Sequence, residues 1–168
     1  MHFARSSRTS RGGLEFNQLG IETVVVRCYH CGGSASIASK AFSAACEHCG
    51  KSLDIPDVRI KGHHWGGVLM TCGRIVIGRK AEVTVTMGIA SLGADVLGTF
   101  TGVLISGGAV TIGPKAVFHG SVWAKSLRIE PGAKVGGGPF VVPCDPLGYV
   151  SLNGNRTAVP EPPPVFVA

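Results

Sequence analysis

Residues 112–135 read IGPKAVFHGSVWAKSLRIEPGAKV, which writes nearly one phrase twice: IGPKA at 112–116 and IEPGA at 129–133, seventeen residues apart. An earlier copy exists. Laying 73–83 over 108–118, an offset of 35, pairs Ile77 with Ile112, Gly78 with Gly113, Lys80 with Lys115 and Ala81 with Ala116. Since 35 is close to twice 17, another copy is expected between them. Residues 89–102 supply it, with Leu92, Ala94, Val96 and Phe100 alternating with small or polar residues.

A period this short excludes helix-pair and propeller repeats. Within each unit the alternation has period two, as in Val83/Val85, Val110/Ile112 and Leu127/Ile129, which is the period of a strand. Glycines and prolines fall between the short runs, where turns need them. The unit is therefore one coil of a parallel β-helix, and its neighbours stack at the inter-strand spacing. Five coils of 17–18 residues would make a rod about 24 Å long. One coil cannot bury its inner face alone; stacking buries it. Ile77, Ala81, Ile112, Ala116, Ile129 and Ala133 are expected inside. Composition agrees, with 25 glycines in 168 residues and only 7% aromatics.

The repeat occupies 60–142. Residues 1–20, with Arg5, Arg8 and Arg11 among glycines and serines, are expected to be a flexible basic tail. Residues 143–168, which end PEPPPVFVA, are expected to be a Pro-rich flexible tail. No run of about eighteen apolar residues is present to span a membrane. No apolar stretch follows the first arginines, so no secretory signal is expected and the chain is read as cytoplasmic. The net charge of +6 is thin and spread along the chain. It is a statement about solubility more than about an anionic partner.

Residues 21–58 are a different unit. Cys28 and Cys31, then Cys46 and Cys49, form two Cys-x-x-Cys pairs separated by fourteen residues. Each pair can make a tight knuckle with both thiolates aimed at one ion, and two knuckles make a closed tetrahedral zinc site with four cysteine ligands. Gly32, Gly33 and Gly50 follow the pairs, where positive φ is useful. A closed site is structural, and zinc supplies the folding free energy that so short a segment lacks. VVVRC before the pairs and KSLDIP after them are the expected strands of a zinc ribbon. Arg27, Lys40 and Lys51 are offset by Glu22, Glu47 and Asp54, and only Tyr29 and Phe42 could stack on bases. Protein docking, or covering the first coil of the rod, is expected rather than nucleic-acid binding.

The stretch 96–137, VLGTFTGVLISGGAVTIGPKAVFHGSVWAKSLRIEPGAKVGG, resembles the bactofilins, a family of bacterial polymer-forming cytoskeletal proteins. The resemblance rests on Gly98/Gly102, Val110/Ile112, Ala116, Gly120/Val122 and Ile129/Gly132/Ala133. It implies a right-handed β-helix that assembles end to end without a nucleotide. It also implies partners among envelope or cell-wall proteins, and a place at the inner face of the membrane through them. Similar proteins use a C-terminal phenylalanine in assembly; here Phe140 is the residue in question, set against its closing the core. Some members carry an apolar N-terminal tether. Only Met1 and Phe3 are apolar before the arginines here, so direct membrane attachment is not expected.

The other reading is the left-handed rod of the hexapeptide transferases and trimeric γ-class carbonic anhydrases, which IGPKA and IEPGA also resemble. That rod needs multiples of six, which 17 and 35 miss by one residue each. His119 has no partner histidines at the spacing a carbonic anhydrase needs. A third reading is a zinc-ribbon adaptor with the rod as spacer. His63, His64 and Trp65 read as a polar lead-in to the first coil. His30 and His48 are spare beside four cysteines, and Cys72 and Cys144 read as unpaired thiols. No Ser/His/Asp order or close carboxylate pair is present, so no catalytic residue is named.

Overall fold

The computed structural model describes residues 15–16 and 22–147. The tails expected at 1–20 and 143–168 lie outside them, apart from 15–16 and 143–147. Among the described residues every regular element is a strand, and none forms a helix that could cross a membrane.

The chain from residue 58 winds into a parallel β-solenoid of five coils with three sides. The first side stacks Val58–Ile60, Arg74–Ile77, Gly93–Val96, 109–112 and 126–129. The second stacks 63–66, 82–85, 99–102, 117–120 and Lys134–Gly136. The third stacks 68–71, 87–90, 103–106, 121–124 and Phe140–Val141. Ile60, Ile77, Val96, Ile112 and Ile129 form one column, at intervals of 17, 19, 16 and 17 residues. The offset of 35 between Ile77 and Ile112 is thus one long coil followed by one short coil, with Val96 between them. Across all three sides the interval varies between 16 and 19 residues and does not hold at a constant eighteen, so the hexapeptide rod does not describe this chain.

Period-two alternation sends every second residue inward. Ile75, Ile77, Ala94, Val96, Val110 and Ile112 are fully buried on the first side, and Val83, Phe100 and Phe118 on the second. The Phe100 and Phe118 rings stack with centroids 5.2 Å apart. Two expectations need correction. Leu92 is 57% exposed, because it sits at the corner before Gly93 and not on a side. Ile129 continues its column but is 48% exposed, because no further coil lies over it.

The outer face of the third side is unusual for a solenoid. Met70, Ile89, Ile105, Trp123 and Val141 line up along it, and Ile89 and Ile105 are buried. On the second side the equivalent outer positions are the exposed Thr84, Thr101 and His119. A side apolar on both faces must be covered by something, and the cysteine-bearing segment covers it. Cys28, Tyr29, Cys46 and Leu53 share one apolar cluster with Cys72, Ile89, Ile105 and Leu147.

Candidate metal centre and the ends of the rod

Two antiparallel hairpins build the cysteine site. Glu22–Arg27 pairs with Ser34–Ala38, placing Cys28 and Cys31 in the first turn; Glu15–Phe16 adds to the free edge of Glu22–Arg27. Ser43–Ala45 pairs with Ser52–Asp54, placing Cys46 and Cys49 in the second turn. The two turns are built alike. The Gly32 amide donates to Cys28 O at 2.9 Å, and the Gly50 amide to Cys46 O at 2.8 Å. Both glycines carry positive φ, 74° and 68°, which a side chain disfavours. Gly33 does not; it is a close-approach position, where a Cβ would press on the His48 ring at 2.8 Å.

The four Sγ atoms lie within 4.8 Å of one another. The Cys28–Cys49 and Cys31–Cys46 separations are 3.8 and 3.7 Å. Sulfurs on a tetrahedral ion bound at about 2.3 Å are about 3.8 Å apart, so the donor set fits a four-coordinate metal. The amides support sulfur charge as well, since the His30 amide donates to Cys28 Sγ at 3.3 Å. Burial pushes the Cys28 thiol up to about 12. Burial also pushes Cys46 up, but the Cys49 and His48 amides and the neighbouring thiols outweigh it and bring that thiol down to about 7. Unequal thiols this close together, backed by amides, suit an ion that holds all four as thiolates. All-sulfur tetrahedral sites select zinc or iron over hard cations.

Tyr29 is buried; its hydroxyl donates to Ser52 O at 3.3 Å and accepts from the Asp54 amide at 3.0 Å. It locks one knuckle to the other hairpin and is not free to stack on a base. Arg27 is also committed, since its Nη1 lies 2.9 Å from Asp145 Oδ1. Burial raises the Asp145 carboxyl, but the hydrogen bond and charge of Arg27, with Lys125, outweigh it and hold it below the usual range. Phe42 stays exposed.

The contacts between this unit and the rod are lateral. Ser91 Oγ donates to Arg27 O at 2.8 Å. Beyond the last coil the chain turns back along the same side, with the Cys144 amide on Ala124 O at 2.8 Å. Leu147 seats over Gly107, where a Cβ would collide with it. Residues 54–57 run beside the first coil, with the Cys72 amide on Asp54 O at 2.7 Å and the Arg74 amide on Asp57 Oδ1 at 2.8 Å. No cysteine-hairpin residue joins the interior cluster of the solenoid. The ribbon's apolar contacts thus lie along the third side, and it meets the first coil at the 71–74 corner. Sequence reasoning misses Ser91, Asp145 and Leu147, because their partners lie far away in the chain.

Among the described residues, no further strand pairs with the outer edge of the first or the last coil. At one end Val58, Ile60 and Leu69 point inward but are only half-buried. At the other, Phe140 ends the column Leu69, Gly88, Leu104, Val122. Its ring lies 6.1 Å from Phe118, yet it is 39% exposed. Phe140 thus lies over the interior and also faces outward. His63 opens the second side of the first coil and lies 3.2 Å from Glu82. Cys72 is buried, which raises its thiol to about 11, and Cys144 Sγ donates to Val141 O at 3.2 Å.

A family model described as "Bactofilin: Polymer-forming cytoskeletal" matches residues 42–138, more than half of the chain. No curated protein and no solved structure matches it.

Proposed function

Since the chain belongs to the bactofilin family of polymer-forming cytoskeletal proteins, we propose that it is a non-enzymatic bacterial scaffold that grows end to end into nucleotide-independent filaments. Its four cysteines, Cys28, Cys31, Cys46 and Cys49, hold structural zinc. The observation that carries this reading is the pair of open coil ends. Among the described residues, each presents unpaired strand backbone and a truncated apolar interior, the combination that invites another copy to add on. An end-to-end contact that does not close on itself propagates as a filament. Covering Phe140 and Ile129, exposed by 39% and 48%, adds about 1 kcal/mol each, besides the new strand pairing. The filament works in the cytoplasm, in cell shape and in holding envelope or cell-wall proteins at the inner face of the membrane.

The test is negative-stain microscopy of the purified chain without nucleotide. Filaments a few nanometres wide are expected. Phe140→Asp is expected to abolish them while leaving the circular dichroism of the folded rod unchanged. Compact threefold particles in place of filaments would overturn the reading. Metal analysis is expected to find one zinc per chain, and Cys46→Ser is expected to lose it.

A further inference from the structure

We propose that zinc in the four-cysteine site is a clasp for the third side of the rod, setting whether that side is covered without controlling growth at the ends. The proposal rests on the zinc reading above. Two of the four sulfur-bearing residues, Cys28 and Cys46, belong to the same apolar cluster as Ile89, Ile105 and Cys72 on the rod. The knuckles are therefore the floor of the ribbon as well as its metal site. The hairpins on their own have little to hold them: Ser43–Ala45 and Ser52–Asp54 are three-residue strands, and such units fold with their metal or not at all. What remains without zinc is the link from Ser91 to Arg27 O, the bonds from the Cys72 amide and the Thr71 hydroxyl to Asp54 O at the point where the ribbon joins the rod, and the half-exposed pair of Arg27 with Asp145, and an exposed ion pair contributes little.

Release of the ribbon would uncover the line Met70, Ile89, Ile105, Trp123, which runs along the rod from the first coil to the fourth. The rod would persist, because its interior cluster contains no residue from the ribbon. The ends would persist too: Phe140 and Ile129 belong to the last coil and lean on Phe118 and Ile112, and Val58, Ile60 and Leu69 at the other end pack on the solenoid's own interior. Metal occupancy thus changes the flank of a filament and leaves its length alone. A ribbon lying over the first coil would do the reverse.

Cys72 reports on the clasp. It is fully buried against the ribbon, and it lies outside the metal site. The full-length chain is pulsed with N-ethylmaleimide, zinc-loaded or stripped by a chelator under reducing conditions, and labelling is located by peptide mass spectrometry. Cys72 is expected to label about tenfold faster or more in the stripped chain, as local opening replaces a docked surface. Cys46→Ser is expected to match the stripped chain without any chelator. Filaments are expected in every sample. Cys72 staying protected after zinc is gone would overturn the clasp, and so would filaments that vanish only on zinc removal. Absence of filaments in all samples would instead count against the scaffold reading, while Cys72 labelling still decides the clasp.

Discussion

Gly120→Ala is expected to cost about 3–5 kcal/mol, above the roughly 0.5–3 kcal/mol of most point substitutions, because it adds a steric clash to a strained φ. Gly120 and Gly102 stand one above the other at the corner between the second and third sides, with φ of 142° and 140°. A Cβ on Gly120 would fall on the carbonyl oxygen of Gly102, and one on Gly102 on that of Val85. Neither obstacle is a movable side-chain tip. Both are backbone atoms of the coil below, whose position the strand ladder fixes. The chain must then break the corner or part the coils. A domain of this size has about 5–15 kcal/mol in total, so the substitution removes much of it. In the Phe140→Asp background, where filaments do not obscure unfolding, the urea midpoint should fall by about 2 M. Gly62→Ala is the control. Gly62 has open space around it and no positive φ, and its stability should move by less than about 0.5 kcal/mol. Equal shifts for the two would mean that the corner is not what fixes the stacking.

The columns of the rod can be read from the chain because a solenoid writes its contacts at short, repeated intervals. Ile77 with Ile112, and Val96 between them, need only counting. What counting does not supply is the length of each coil. The coil from Ile77 to Val96 is long and the coil from Val96 to Ile112 is short, and the two irregularities cancel in the sum. Leu92 is misplaced for the same reason: a slip at a corner moves an apolar residue from the alternating pattern into solvent. The knuckles are legible too, since spacing alone sets the geometry of a Cys-x-x-Cys turn. The side of the rod on which they rest is not. Ile89, Ile105 and Trp123 lie at outward positions of strands whose inward positions are also apolar, so the third side reads as a continuous apolar run. The sequence signal for a covered face is present at 103–105 (Val, Leu, Ile), but order along the chain points to the nearest coil instead.

Phe118→Ala is expected to loosen the far end of the rod selectively. Phe118 is fully buried between Phe100, 5.2 Å away, and Phe140, 6.1 Å away. Truncating a buried phenylalanine costs about 3–5 kcal/mol in lost transfer and cavity, and each aromatic pair broken adds about 1 kcal/mol. In a compact globule that loss would be felt everywhere. In a solenoid each coil touches only its neighbours, so the loss falls on the interfaces the residue joins. Among the described residues the fifth coil has one neighbouring coil, and its last strand, Phe140–Val141, pairs with Val122 and Trp123. Hydrogen exchange should therefore quicken across 126–141 while 74–90 keeps its protection. Filament growth should fall as well, although Phe118 is not on the surface, because the ring that Phe140 leans on has gone. Phe100→Ala removes the same kind of side chain from mid-rod and leaves the Phe118–Phe140 contact in place, so it should disturb the central coils first. Uniform loss of protection in both variants would show that the five coils unfold as one unit, and the end coil would then have no independent softness for assembly to use.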